Sequence, residues 1–64
     1  MAMPHVIVQM LEGRTTEQKK ALIEGITKVV SESCKAAPDA VSVAIFEVPR
    51  QNWGKAGIPM SERK

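Results

Sequence analysis

The sequence has one cysteine, one histidine and no long apolar run, and each scarcity excludes a class of protein. A lone Cys34 cannot form an internal disulfide, and together with a lone His5 it does not supply the ligands of a structural zinc site. No apolar stretch approaches the roughly 20 residues of a membrane span, and no charged-then-apolar leader is present. We therefore expect a cytoplasmic protein with a reduced thiol and no metal.

An excess of charge of one sign is also missing. Nine Lys and Arg residues against seven Asp and Glu residues leave a net charge of +2, and the two signs alternate along the chain. Proteins that bind nucleic acid or membrane surfaces usually carry a concentrated basic patch. The composition therefore predicts neither nucleic acid nor membrane as a partner.

The chain is short for an independent domain, with 64 residues. A domain of this size buries only about 60% of the surface that its unfolded chain exposes. Disulfides, a metal or association with other subunits usually compensate. Since the first two are excluded, we expect an oligomer.

The residues that are present predict a strand, a helix and a second strand. Residues 4–10 (PHVIVQM) combine β-branched side chains with a proline at the start of the run, where a strand tolerates it. Thr15 and Gln18 have the spacing of a capping box, so a helix should run from about residue 16 to about 36. Pro38 lies beyond the end of that helix, and residues 41–48 (VSVAIFEV) alternate as a second strand does.

Two strands joined by a long helix form a β-α-β unit, in which the strands are parallel and the crossover is right-handed. The fold class is therefore α/β or α+β. One helix cannot cover both faces and both edges of such a sheet. We expect two chains to form a four-stranded sheet and these dimers to associate again.

Several stretches resemble the 4-oxalocrotonate tautomerase family. They are PHVIVQMLEGRTTEQKKALIEGIT at the start, VSVAIFEV in the second strand and NWGKAG near the end. In that family a proline follows the initiator methionine, an LEGR(S/T)xEQK motif follows the first strand, and an aromatic-Gly-x-x-Gly hairpin follows the second. The resemblance covers residues 4 to about 57, and it divides the chain into an extension (residues 1–3) and a tautomerase-like domain (residues 4–64).

The resemblance implies a β-α-β subunit with a C-terminal hairpin, a hexamer built as a trimer of dimers, and proton transfer without a cofactor. It makes Pro4 the general base, Arg14 a carboxylate-binding residue and Trp53 an apolar wall. A free α-amine has a pKa of about 7.7–8.0, and an apolar, cationic pocket would lower it towards neutrality. A base of that strength suits general-base catalysis at neutral pH.

Ser42 is the one clear departure from the family pattern. Many members carry a second arginine at this place, supplied by a neighbouring subunit. A pocket without that arginine should bind dicarboxylates such as 4-oxalocrotonate poorly. We therefore favour a monoacid, a keto–enol compound such as phenylenolpyruvate, or weak promiscuous activity. Arg50 or Lys55 could compensate from the loop that follows the strand.

Each candidate residue also has an interpretation without a role in catalysis. Pro4 can be only the first residue of a strand, Arg14 a solvated charge and Trp53 an anchor between subunits. Strand alternation directs His5 away from Pro4, so a surface or interface histidine is the simpler interpretation. Cys34 is interpreted as a small core residue on the apolar side of the helix.

Two other functions remain open at this point. The same amine could act as an acid in hydration, as in dehalogenase and decarboxylase relatives of the superfamily, although no water-activating residue is evident. The chain could also be a catalytically impaired partner subunit of a homomeric or mixed hexamer. Residues 1–3 bear on both, because a proline preceded by another residue has an amide nitrogen and no basic lone pair.

Overall fold

The computed structural model describes residues 3–62 as a β-α-β unit followed by a short hairpin. Strands β1 and β2 pair in parallel and β3 pairs with β4 in antiparallel fashion, which confirms the predicted fold class. The elements are β1 (His5–Leu11), α1 (Thr16–Cys34), β2 (Ser42–Val48), β3 (Gly54–Lys55) and β4 (Ile58–Pro59), with 3-10 turns at Pro38–Ala40, Arg50–Asn52 and Met60–Glu62. Met1 and Ala2 of the predicted extension lie outside the described residues.

The register of the parallel pair gives the sheet two distinct faces. His5 pairs with Ser42, and the pairing continues residue by residue to Leu11 and Val48. The helix covers the face that carries Val6, Val8, Met10, Val43 and Ile45. The opposite face, called the far face below, carries His5, Ile7, Gln9, Ser42, Ala44 and Phe46.

The amino terminus of α1 is fixed by the predicted capping box. The Thr15 hydroxyl accepts a hydrogen bond from the Gln18 backbone N–H at 3.0 Å, and the Gln18 side chain accepts one from the Thr15 N–H at 2.9 Å. These two bonds satisfy backbone donors that a helix leaves without partners in its first turn. The helix therefore begins where the sequence predicted.

The helix ends two residues before the predicted position. Lys35 adopts a left-handed conformation with φ 56°, and the Ser31 hydroxyl donates to the Ala36 carbonyl at 2.6 Å. A left-handed residue ends the helical path, and the polar bonds around it satisfy groups at the terminus. Pro38, which suggested a later end, restricts only the residue directly before it.

The interpretation of Cys34 as a core residue is wrong for the single chain, because the structure places it exposed at the last residue of α1. A helix of 19 residues is about 28 Å long, whereas strands of seven residues span about 23 Å. The last turn of the helix has less sheet to cover it. Helical periodicity assigns a face but does not show how far the sheet extends below it.

A single chain does not enclose a core. No hydrophobic side chain among residues 3–62 is buried, and Ile7, Val29 and Phe46 are 57%, 61% and 53% exposed. The radius of gyration is 14.9 Å, against roughly 11 Å for a compact chain of this length. The extents of 44 × 24 × 13 Å describe a thin plate with apolar surface on both sides. This shape supports the expectation that the chain associates.

The hairpin closes through a two-residue turn at Ala56 and Gly57, which both have positive φ values of 56° and 80°. Positive φ at both central positions defines the turn type that matches the twist of paired strands. The hairpin is joined to the preceding turn by the bond from the Met60 N–H to the Trp53 carbonyl, 2.8 Å long. Within residues 3–62 no helix combines the length and apolarity that a membrane crossing requires.

Candidate functional site

Pro4 and Ser42 lie side by side where the two parallel strands begin, which we call the amino end of the sheet. The Ser42 backbone N–H donates to the Pro4 carbonyl at 3.0 Å, so the second strand holds the proline in place. Pro4 is partly buried, whereas Met3 before it is 78% exposed. With Met3 attached, the nitrogen of Pro4 is an amide, and it becomes a secondary amine only when Pro4 is the first residue.

His5 completes the amino end. Its Nδ1 atom lies 2.6 Å from the Ser42 hydroxyl oxygen, and both side chains are exposed on the far face. The sequence predicted an exposed histidine at this position but not its bond to Ser42. That contact depends on the parallel register, which joins residues 37 positions apart and has no local signal in the sequence.

Arg14 lies at the carboxyl end of the sheet, where β1 and β2 finish. It precedes the N-cap Thr15, so its guanidinium is near the positive end of the helix dipole, where an anion is favoured. Within the part of the chain that the structure describes, Arg14 makes no hydrogen bond or ion pair. Nearby Lys19 instead binds Glu47 at 2.8 Å. Arg14 is therefore a cation available to a carboxylate at this end.

Trp53 lies at the same end of the sheet. It lines a shallow groove together with Gln9, Val48 and Asn52, which places its indole by the ends of both strands. Its backbone is held on both sides, since its N–H donates to the Arg50 carbonyl at 3.3 Å and its carbonyl accepts from Met60. The tryptophan is partly buried in the single chain and offers an apolar surface beside polar groups.

The two ends cannot meet within one chain. From Pro4 to Leu11 the strand advances about 23 Å, and Arg14 lies three residues further on. The structure thus brings Pro4 and Ser42 together at one end, and it places Arg14 and Trp53 at the other. A site that uses all four predicted residues has to combine ends from different copies of the chain.

The two residues that could compensate for Ser42, Arg50 and Lys55, lie away from it within one chain. The Arg50 backbone N–H donates to the Glu12 carboxylate at 3.4 Å, which fixes that residue at the carboxyl end. Lys55 follows Trp53 in the hairpin. Neither lies at the end of the sheet that holds Ser42. Among residues 3–62, no group of three or more His, Cys, Asp or Glu side chains is placed to hold a metal ion.

Comparisons with known proteins identify relatives of this chain. The chain is 47% identical over 60 residues to a 2-hydroxymuconate tautomerase of Comamonas testosteroni, covering 94% of this chain and 95% of the other. A heterohexamer 4-oxalocrotonate tautomerase of Chloroflexus aurantiacus has a solved chain with a TM-score of 0.91 and 34% identity, covering 97% of this chain and all of that one.

A 4-oxalocrotonate tautomerase isozyme of Methylibium petroleiphilum is 40% identical with a TM-score of 0.86, covering 91% of this chain and 94% of the other. The family profile described as Tautomerase enzyme matches residues 4–63, so the matched segment begins at Pro4. Sequence, fold and extent all agree, and the chain belongs to the tautomerase family.

Proposed function

We propose that this chain is a cofactor-free keto–enol tautomerase of enol or dienol carboxylates, with the amine of Pro4 as the general base. The observation that carries the proposal is the placement of Pro4 at the very start of the sheet, beside Ser42 and anchored by its backbone. A nitrogen at the end of a strand faces out of the sheet, where a substrate can approach it.

The proposed active site is shared between copies. The amino end of one sheet supplies Pro4 and the carboxyl end of another supplies Arg14 and Trp53, because about 23 Å separates the two ends within one chain. The exposed apolar surfaces of the plate provide the contacts for such an assembly. A hexamer made as a trimer of dimers satisfies these requirements, and the Chloroflexus aurantiacus relative is itself described as a heterohexamer.

The proposed reaction moves one proton and needs no redox partner. The lone pair of the free Pro4 amine accepts the proton of the substrate enol, and the C–O bond becomes a carbonyl. The same proton then passes from the proline ammonium to the carbon of the former double bond. Arg14 holds the carboxylate, and Trp53 keeps water away from the reacting atoms, which strengthens the electrostatic interactions there.

The residue at position 42 favours a monoacid substrate. A hydroxyl has no fixed positive charge, and that of Ser42 is already bonded to His5. At the position of Ser42, the second anion of a dicarboxylate would meet a hydroxyl in place of a cation. The proposed substrate therefore carries one carboxylate and an uncharged second end, as phenylenolpyruvate does.

The test compares three versions of the chain in the ketonisation of phenylenolpyruvate. The first begins at Pro4, the second begins at Met1 and the third begins at the alanine of a Pro4→Ala variant. We expect the second to be at least about 100-fold less active than the first, because its proline nitrogen is an amide and general-base catalysis contributes 10²–10⁴-fold. The third keeps a free primary α-amine, so it is expected to retain part of the activity. Equal activity in the first and second versions would show that the Pro4 amine is not the base.

A partner-subunit role is the second candidate, and two observations favour it. Met3 blocks the nitrogen of Pro4 in the chain as written, and Ser42 lacks a charge. If this candidate is correct, the chain beginning at Pro4 has no activity alone and co-purifies from its own cell with a second tautomerase-like chain. A homomeric, active assembly would exclude it.

A further inference from the structure

The amino end of the sheet contains an imidazole that the proposed reaction has not used. His5 follows Pro4 directly, so its Cα lies about 3.8 Å from that of the proline. Its Nδ1 is bonded to the Ser42 hydroxyl at 2.6 Å, and Ser42 also binds the Pro4 carbonyl through its backbone N–H. Ser42 thus contacts the histidine through its hydroxyl and the proline through its backbone N–H.

The bond to Ser42 leaves the second ring nitrogen of His5 facing outwards. When the serine O–H donates to Nδ1, the ring proton is on Nε2, and that atom is a donor on the exposed far face. An imidazole ring that is already held at Nδ1 also loses little conformational entropy when its Nε2 binds a ligand. In this pair the Ser42 hydroxyl orients the imidazole, and the Nε2–H of His5 is the hydrogen-bond donor.

We propose that His5 is a catalytic residue, whose Nε2–H donates to the 2-oxygen of the substrate and stabilises the enolate. This inference rests on the proposed function. In the proposed site the Pro4 amine lies at the amino end, and Arg14 holds the substrate carboxylate at the carboxyl end. His5 is at the amino end, so it meets the reacting part of the substrate. The 2-oxygen is the atom on which negative charge develops when the enol proton leaves.

The proposal is the same whether His5 acts together with the Pro4 of its own chain or with that of another copy. The parallel register and the hydrogen bond keep His5 and Ser42 together wherever the assembly places that corner of the sheet.

Two variants of the chain that begins at Pro4 separate an orienting role from a catalytic one. His5→Asn places an amide near the position of Nδ1 and can keep the contact with Ser42, but it has no group at the position of Nε2. His5→Gln extends its amide to the position of Nε2. We expect a kcat for phenylenolpyruvate that is about 10- to 100-fold lower in the asparagine variant, with KM little changed, and substantially recovered in the glutamine variant.

Structural damage is monitored by the thermal midpoint and the assembly size of each variant. An asparagine variant with wild-type kcat would overturn the proposal. A glutamine variant that is as slow as the asparagine variant, with both correctly assembled, would overturn it as well. The chain that begins at Met1, in which the Pro4 nitrogen is an amide, is measured beside them. If that chain is inactive while both His5 variants match the wild type, the proposed function stands and this inference fails.

A binding experiment decides the matter even if no turnover is detected. His5 is the one histidine of the chain, so its ring nitrogen resonances are assigned without ambiguity. In a titration with phenylpyruvate we expect a protonated Nε2 whose resonance shifts to saturation, and a smaller shift in Ser42→Ala. An Nε2 resonance that does not move at saturating phenylpyruvate, with saturation shown by Trp53 fluorescence, would overturn the contact.

Discussion

The two ends of the sheet differ in how their functional residues are fixed. At the amino end, Pro4, His5 and Ser42 are held by hydrogen bonds between the strands, one from backbone to backbone and one between side chains. At the carboxyl end, Arg14 is next to a helix cap and Trp53 is next to a hairpin. Long-range pairing positions the first group, whereas motifs a few residues long position the second.

In the proposed mechanism neither end works alone. The amino end has the proposed base and a hydrogen-bond donor, but Pro4, His5 and Ser42 include no arginine or lysine. The carboxyl end has Arg14 and the aromatic wall, but not the proline amine. A strand of about 23 Å keeps them apart, so association is a condition of the proposed activity.

The strongest test of this comparison mixes two inactive variants. A chain that begins at Met1 has an amide nitrogen in place of the base at the amino end, and Arg14→Ala, in a chain that begins at Pro4, removes the carboxylate-binding cation from the carboxyl end. We expect each homomeric assembly to be at least about 100-fold less active than wild type. After joint dissociation and reassembly at equal amounts, about a quarter of the sites should combine two intact ends and recover activity.

The control is the same mixture without the dissociation step, which should remain inactive. A mixture that stays inactive after verified exchange of subunits would mean that both residues act within one chain. The measurement is the ketonisation rate per site, with subunit exchange followed by native mass spectrometry.

A smaller loss of activity is expected when assembly is blocked, because the amino end of one copy then no longer meets the carboxyl end of another. Phe46 is 53% exposed on the far face, which also carries the exposed Ile7. A Phe46→Glu variant would bury an unpaired charge on association, so the assembly should dissociate and activity should fall by about tenfold or more at low protein concentration. Light scattering after size-exclusion chromatography measures the mass.

The matched control is Ser33→Glu, which adds the same charge at an exposed position of α1. It should leave both the mass and the activity unchanged. If Phe46→Glu also keeps the full assembly mass, the far face is not part of the contact between copies.

The smallest effect tests how the carboxyl end is positioned. Thr15→Ala removes the hydroxyl that accepts from the Gln18 N–H, and losing such a cap costs about 1 kcal/mol. We expect a thermal midpoint a few degrees lower and a modest rise in KM, because Arg14 is adjacent to the cap. Thr16→Ala, one residue further on, is the control, and an equal loss in both variants would argue against the cap.

Much of this arrangement follows from short-range patterns in the sequence. The capping residues Thr15 and Gln18 predicted the start of the helix, and the two alternating runs predicted strands within one residue of His5–Leu11 and Ser42–Val48. These features depend on neighbouring residues, whose spacing can be read directly. The helix end was less certain because Lys35 adopts a left-handed conformation without being glycine.

The sequence by itself determined the elements and their order, because capping and alternation are local properties, and its resemblance to a family supplied the candidate site residues. Only the tertiary structure decided that Ser42 binds both Pro4 and His5, since the register of a parallel pair is set by packing across 37 residues. It also decided that Cys34 is exposed in the single chain and that Arg14 is far from Pro4. Contacts between distant residues depend on the whole fold, and a sequence pattern does not encode their distances.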